Sequence, residues 1–107
     1  MSRGAPLVAD IKRAVAKRYR VPLATMSAPS GSFHRRRYAW PRQVAILLST
    51  RLTEHSYVRI GQFFGGRDHS TIIYACQAVE ERRRKNPRLH NSLRRLTLEL
   101  IRRDSVG

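Results

Sequence analysis

Apolar positions along this chain recur every three or four residues, the spacing that gathers side chains on one face of a helix. Val8, Ile11, Val15 and Tyr19 make the first such stripe, with Lys12, Arg13, Lys17 and Arg18 on the other faces. A helix is predicted from Leu7 to Arg20, ended by Val21-Pro22 because a residue before proline is pushed out of helical angles. Pro22 to Met26 has room for one short helical turn. Ser27 to Tyr38 then passes from Pro, Gly and Ser into a basic run and reads as a loop, basic over residues 29–38. Pro41 suits the first position of the next helix, with Val44, Leu47, Leu48 and Leu52 turned inward. A last helix begins at Asn86-Pro87 and carries Leu89, Leu93, Leu96 and Leu100 on one stripe, too short for a leucine zipper and so read as packing. Residues 1–6 read as a flexible N-terminus and residues 104–107 as a frayed tail, which leaves 7–103 as one all-α helical bundle.

The remaining stretch, Ser56 to Val79, has a distinct organisation. Ser56 is placed as an N-cap for a short helix bearing Ile60, Phe63 and Phe64. Gly65-Gly66 stops it, since glycine reaches the left-handed angles of a sharp turn. Asp68 caps the next helix, which runs to about Arg84. On it Ile72, Ala75, Cys76 and Val79 share an inward face, while His69, Ser70, Ile73, Tyr74 and Gln77 lie on the other. A short helix, a glycine turn and a second helix with polar residues at its start make residues 56–84 a helix-turn-helix. The start of the second helix in that motif reads base edges in the major groove. Asp68 can cap the helix or accept a hydrogen bond from a cytosine amino group. Ser70 and Thr71 can bond bases or phosphate, and Arg67, in the turn, is expected to meet a phosphate.

Charge supports a nucleic-acid partner. Lys and Arg number 22 against 7 Asp and Glu in 107 residues, a formal charge of +15. So large an excess repels itself and implies a polyanion, the blander alternative being charge that only keeps the protein soluble. Arg35, Arg36 and Arg37 can lie along a phosphate backbone or enter a minor groove, rather than form a merely solvated run. Arg42 and Gln43 fall in the first turn of a helix begun at Pro41, where backbone N–H groups suit a phosphate. The single cysteine forbids an internal disulfide, no apolar run approaches a membrane span, and nothing resembles a signal peptide; the expectation is a soluble cytoplasmic domain. The four histidines, Cys76 and the seven acids form no C-x-x-C, H-E-x-x-H or paired-carboxylate pattern, and no phosphate loop is present. Neither an enzyme nor a metal, cofactor or nucleotide site is expected.

The run GGRDHSTIIYAC resembles the signature of the C-terminal DNA-binding domain of the bacterial chromosomal replication initiator, DnaA. The likeness runs back without a gap through WPRQVAILLSTRLTEHSYVRIGQFF and more loosely to Ile11. A contiguous run of mixed chemistry is far more specific than a spaced glycine pattern. The resemblance implies an all-helical domain that binds short asymmetric boxes in duplex DNA, its basic loop in the minor groove and the second helix of its motif in the major groove. It implies that Asp68, His69 and Ser70 face bases and Thr71 supports them. Tyr57 and Val58 stand where the family often has Leu-Pro against DNA, and Arg42 and Gln43 match its P-R-Q. His34 stands where a minor-groove arginine is common, with Arg35 to Arg37 just after it, and Thr50 replaces a frequent lysine among the phosphate-side positions.

A chain of this length has no room for the ATPase domain of a full initiator. The expectation is a stand-alone domain, a monomer on each double-stranded site, that modulates replication or transcription, with competition against the initiator as one route; a fragment of a longer initiator would read the same. A non-specific basic nucleic-acid binder is the alternative from a different class.

Overall fold

The computed structural model describes residues 6–28 and 35–106. Among them are five α-helices and one 3-10 turn: α1 (Val8–Tyr19), the turn Leu23–Ser27, α2 (Arg35–Leu52), α3 (Tyr57–Phe63), α4 (His69–Lys85) and α5 (Pro87–Val106). The fold is all-α, as the helical periodicity predicts. Val8, Ile11 and Val15 of α1 are buried, and Arg20 closes that helix in a left-handed conformation at φ 56°, just ahead of Pro22. Leu93, Leu96 and Leu100 of α5 meet the same core.

Two helix limits differ from the sequence reading. Pro41 lies inside α2, which starts at Arg35, so residues 35–38 are helix rather than loop. The six residues from 29 to 34, His34 among them, lie outside the described residues. A proline within a helix has no N–H for the carbonyl four residues back. Tertiary contacts compensate: Trp40 packs on the core, and the Arg82 guanidinium lies 4.4 Å from its ring centroid. At the other end α5 runs through Val106, so the tail expected to fray from Asp104 is helical to that point. No glycine or proline interrupts it before Gly107.

α2 is the central helix. Every residue from Val44 to Ser49 is buried, because α1 and the 3-10 turn pack against it as well as α3 and α4. A single inward stripe therefore understates its burial.

The α3–turn–α4 unit follows the caps in the sequence. The Ser56 hydroxyl accepts from the Arg59 N–H at 3.1 Å, and Gly65 and Gly66 take φ of 88° and 76°. The carbonyl of Gly61 receives three N–H groups, from Phe64 at 3.2 Å and from Gly66 and Arg67 at 3.0 Å each. This draws the turn back onto α3 so closely that a Cβ on Gly61 would stand 1.9 Å from the Arg67 carbonyl oxygen. Gly66 has open space around it, and only its positive φ favours glycine. Gly61→Ala should therefore cost about 3 kcal/mol, against about 1 kcal/mol for Gly66→Ala, in urea unfolding. Equal losses would contradict the close approach of turn and helix.

Candidate nucleic-acid interface

The C-terminal end of α3 presents carbonyls that no helical N–H can reach. Cations answer them. Lys12 of α1 donates its ammonium to the Phe63 carbonyl and, at 2.7 Å, to the Ser27 hydroxyl, and it lies 4.7 Å from the Phe64 ring centroid. Arg67 is 8% exposed, and its Nη1 donates to the carbonyls of Phe64 and, at 2.7 Å, Ala28. Arg42, 7% exposed, donates more weakly to the Thr25 carbonyl at 3.4 Å. Positive charge at a helix C-terminus is favourable, and buried carbonyls gain the partners they need. Burial, and then the like charge of Arg67, pull the Arg42 guanidinium down to about 10; burial lowers Arg67 and Lys12 as well.

Of the residues expected to meet phosphate, Arg67 and Arg42 also donate to backbone carbonyls within the fold. Thr50 donates its hydroxyl to the Leu47 carbonyl at 2.8 Å and lies 3.5 Å from the Cys76 sulfur, between α2 and α4. With α2 begun at Arg35, Arg42 and Gln43 sit beyond its first turn rather than within it, and Gln43 is half-buried. The first turn of α2 is instead Arg35, Arg36 and Arg37, whose side chains are outside the described residues.

The Arg67 bond has a second effect. Ala28 is the last residue before the basic segment, and its carbonyl would lie 2.6 Å from a Cβ on Gly65. The chain entering that segment is thus pinned against the helix-turn-helix turn, directly beside the start of α4.

That start is open to solvent. Asp68, His69, Ser70 and Thr71 are all exposed. Asp68 Oδ1 accepts from the Thr71 N–H at 2.9 Å, which caps α4. The Thr71 N–H, with its hydroxyl next, holds the Asp68 carboxyl below its usual 3.8. On α3, Tyr57 and Val58 are 47% and 58% exposed, large apolar area left uncovered at the motif's other helix start. Beneath the tip, Ile72, Ala75 and Val79 are buried, so α4 is held from its inner face while its first turn projects.

Three contributors escape sequence reading. Lys12 looks like a solvated residue of α1, Gly61 like a weak point in a short helix, and Arg59 like an ordinary surface charge. Arg59 is exposed, lies 4.8 Å from the Phe63 ring centroid and bonds Gln62 at 2.8 Å, one residue from Val58. A glycine in the middle of α3 carries the only available signal of close packing.

A capped, outward-facing first turn on the second helix of a glycine-turned pair defines a helix-turn-helix DNA-binding domain. Comparison with known proteins makes the class particular. A family model described as bacterial dnaA protein helix-turn-helix matches residues 8–79, and the chain belongs to that family. It is 44% identical over 77 residues to the chromosomal replication initiator protein DnaA of Psychromonas ingrahamii, covering 72% of this chain and 16% of that protein. The corresponding protein of Magnetococcus marinus is 41% identical over 86 residues, 80% of this chain and 19% of that protein. That of Acinetobacter baylyi is 41% identical over 80 residues, 75% and 17%. The chain thus spans less than a fifth of the length of these relatives.

Arg67→Ala should leave two carbonyls unanswered and cost about 2 kcal/mol or more in urea unfolding, whereas Arg95→Ala, exposed on α5, should stay within about 0.5 kcal/mol. A lowered carboxyl pKa adds stability that is complete above the unfolded value and lost as pH falls through the folded one. The difference in melting temperature between the native chain and Asp68→Ala should therefore be level well above pH 3.8 and shrink below it. A gap that persists unchanged into stronger acid would show that the ionised carboxylate does not cap α4.

Proposed function

We propose that this domain binds double-stranded DNA in a sequence-dependent manner, at sites resembling DnaA boxes. The first turn of α4 enters the major groove. Asp68, His69 and Ser70 face base edges there, Thr71 supports them, and Tyr57 and Val58 lie against the same groove wall. The segment from His34 to Arg37 follows the backbone or the adjacent minor groove. The carrying observation is the Arg67 bond to Ala28, which joins the basic segment to the tip. A net charge of +15 supplies the sequence-independent share of the affinity.

The domain has no ATPase activity of its own in this reading, binds as a monomer on each asymmetric site, and acts in the cytoplasm on the nucleoid. Burial pushes the Cys76 thiol up, the opposite of an activated nucleophile, which fits a binding module rather than an enzyme. By occupying sites an initiator would use, such a domain modulates replication or transcription. The small share of each relative that the chain covers fits equally a piece of a longer initiator, whose DNA contacts would be the same.

Selection of bound sequences from random duplex DNA should return one asymmetric motif. His69→Ala should weaken binding to that motif by about tenfold and relax one or two positions, with under threefold change on a scrambled duplex. Arg36→Ala should weaken both duplexes alike. Selection that enriches no sequence would replace this reading with a non-specific basic binder.

A further inference from the structure

Positive charge is not confined to the tip and the basic segment. From Arg82 to Arg103 the chain has nine Lys or Arg and a single acid, Glu99. Those on α4 are engaged: Arg83 pairs with Glu80 at 3.0 Å, Arg84 and Lys85 share Glu81, and Arg82 stacks on Trp40. On α5 the situation differs. Arg88, Arg94, Arg95 and Arg102 are exposed and have no ion pair or hydrogen bond among the described residues. Arg88, Arg95 and Arg102 stand seven residues apart, hence on one stripe with steps of roughly 10 Å, turned away from the buried leucines.

A row of three arginines with one neighbouring acid, Glu99, keeps a net positive charge in the free protein and suits the phosphates of a duplex backbone. Its place in the fold separates it from the tip. α5 packs on α1 and α4, and it begins where α4 ends. The 17 residues of α4 put roughly 25 Å between its first turn and Arg88, about twice the major groove's width. An anionic bilayer is the poorer match. Among the described residues of α5 only Leu98 and Ile101 are large apolar side chains left exposed, too little to insert among lipids.

We infer that the arginine stripe of α5 is a second, sequence-independent duplex-binding surface, so that a molecule seated on one duplex by its helix-turn-helix holds the backbone of another. The inference rests on the proposed function only for how the first duplex is held. A seated molecule meets neighbouring DNA at high local concentration, so modest affinity at α5 suffices to bridge.

The test uses the full chain, an immobilised duplex carrying the selected sequence and a fluorescent duplex of unrelated sequence in solution. Second-duplex capture is read per bound protein. The exposed-site variant Arg88→Ala/Arg95→Ala/Arg102→Ala should keep its affinity for a single duplex within threefold while capture falls about tenfold, with a shallower salt dependence of capture. Asp68→Ala/His69→Ala should lose preference for the immobilised sequence yet capture as much per bound protein, which separates failure of the tip from failure of α5. The inference is overturned if the triple variant captures as the native chain does, or if single-duplex binding and capture fall together. It is also overturned if the native chain captures no second duplex, whether or not it pellets with phosphatidylserine vesicles.

Discussion

Arg67 turns its guanidinium into the fold, where one nitrogen is shared between the carbonyls of Phe64 and Ala28. Those carbonyls come from the end of α3 and from the residue after the 3-10 turn, segments far apart in sequence. The bond therefore sets two things together: how sharply the chain turns before α4, and where the basic segment leaves the core. Gly61 makes it possible, since its missing side chain lets the Arg67 backbone settle against α3. Lys12 completes the arrangement from the other side by answering the Phe63 carbonyl. A charged group buried among apolar neighbours is costly unless its donors are bonded. Here the donors go to carbonyls that would otherwise be orphaned, and each removes the other's cost.

The cations of this chain thus fall into distinct populations. Lys12, Arg42 and Arg67 are internal and shape the turn. Glu80 and Glu81 occupy most of those at the end of α4. Among the described residues, Arg88, Arg94, Arg95 and Arg102 of α5 face solvent and add to the positive field. Asp68 is the exception that this field tolerates: a carboxylate at the N-terminus of α4, stabilised by the helix itself.

Legibility from sequence divides along the same line. Ser56, Gly65, Gly66 and Asp68 act through neighbours within a few residues, so their caps and turn could be read directly, and the outward placement of His69, Ser70 and Tyr74 followed from helical period. The start of α2 could not. Proline favours the first position of a helix, and only the packing of Trp40 against the core and under Arg82 explains a helix that passes through it. The internal bonds of Arg42 and Arg67 were hidden for a related reason. Arginine belongs on the surface by default, and nothing local to either residue shows that Thr25 and Ala28 will deliver carbonyls to it. Family resemblance identified the tip but not its internal support.

The central claim is that a tip held from beneath by Arg67 meets DNA while its support stays internal. Amide chemical-shift mapping during titration with a single duplex tests it most directly. The account predicts the largest changes at Tyr57, Val58 and Asp68 to Thr71, with Gly61 and Leu96 nearly unmoved. A map centred on α1 or α5, with the first turn of α4 silent at saturation, would contradict it.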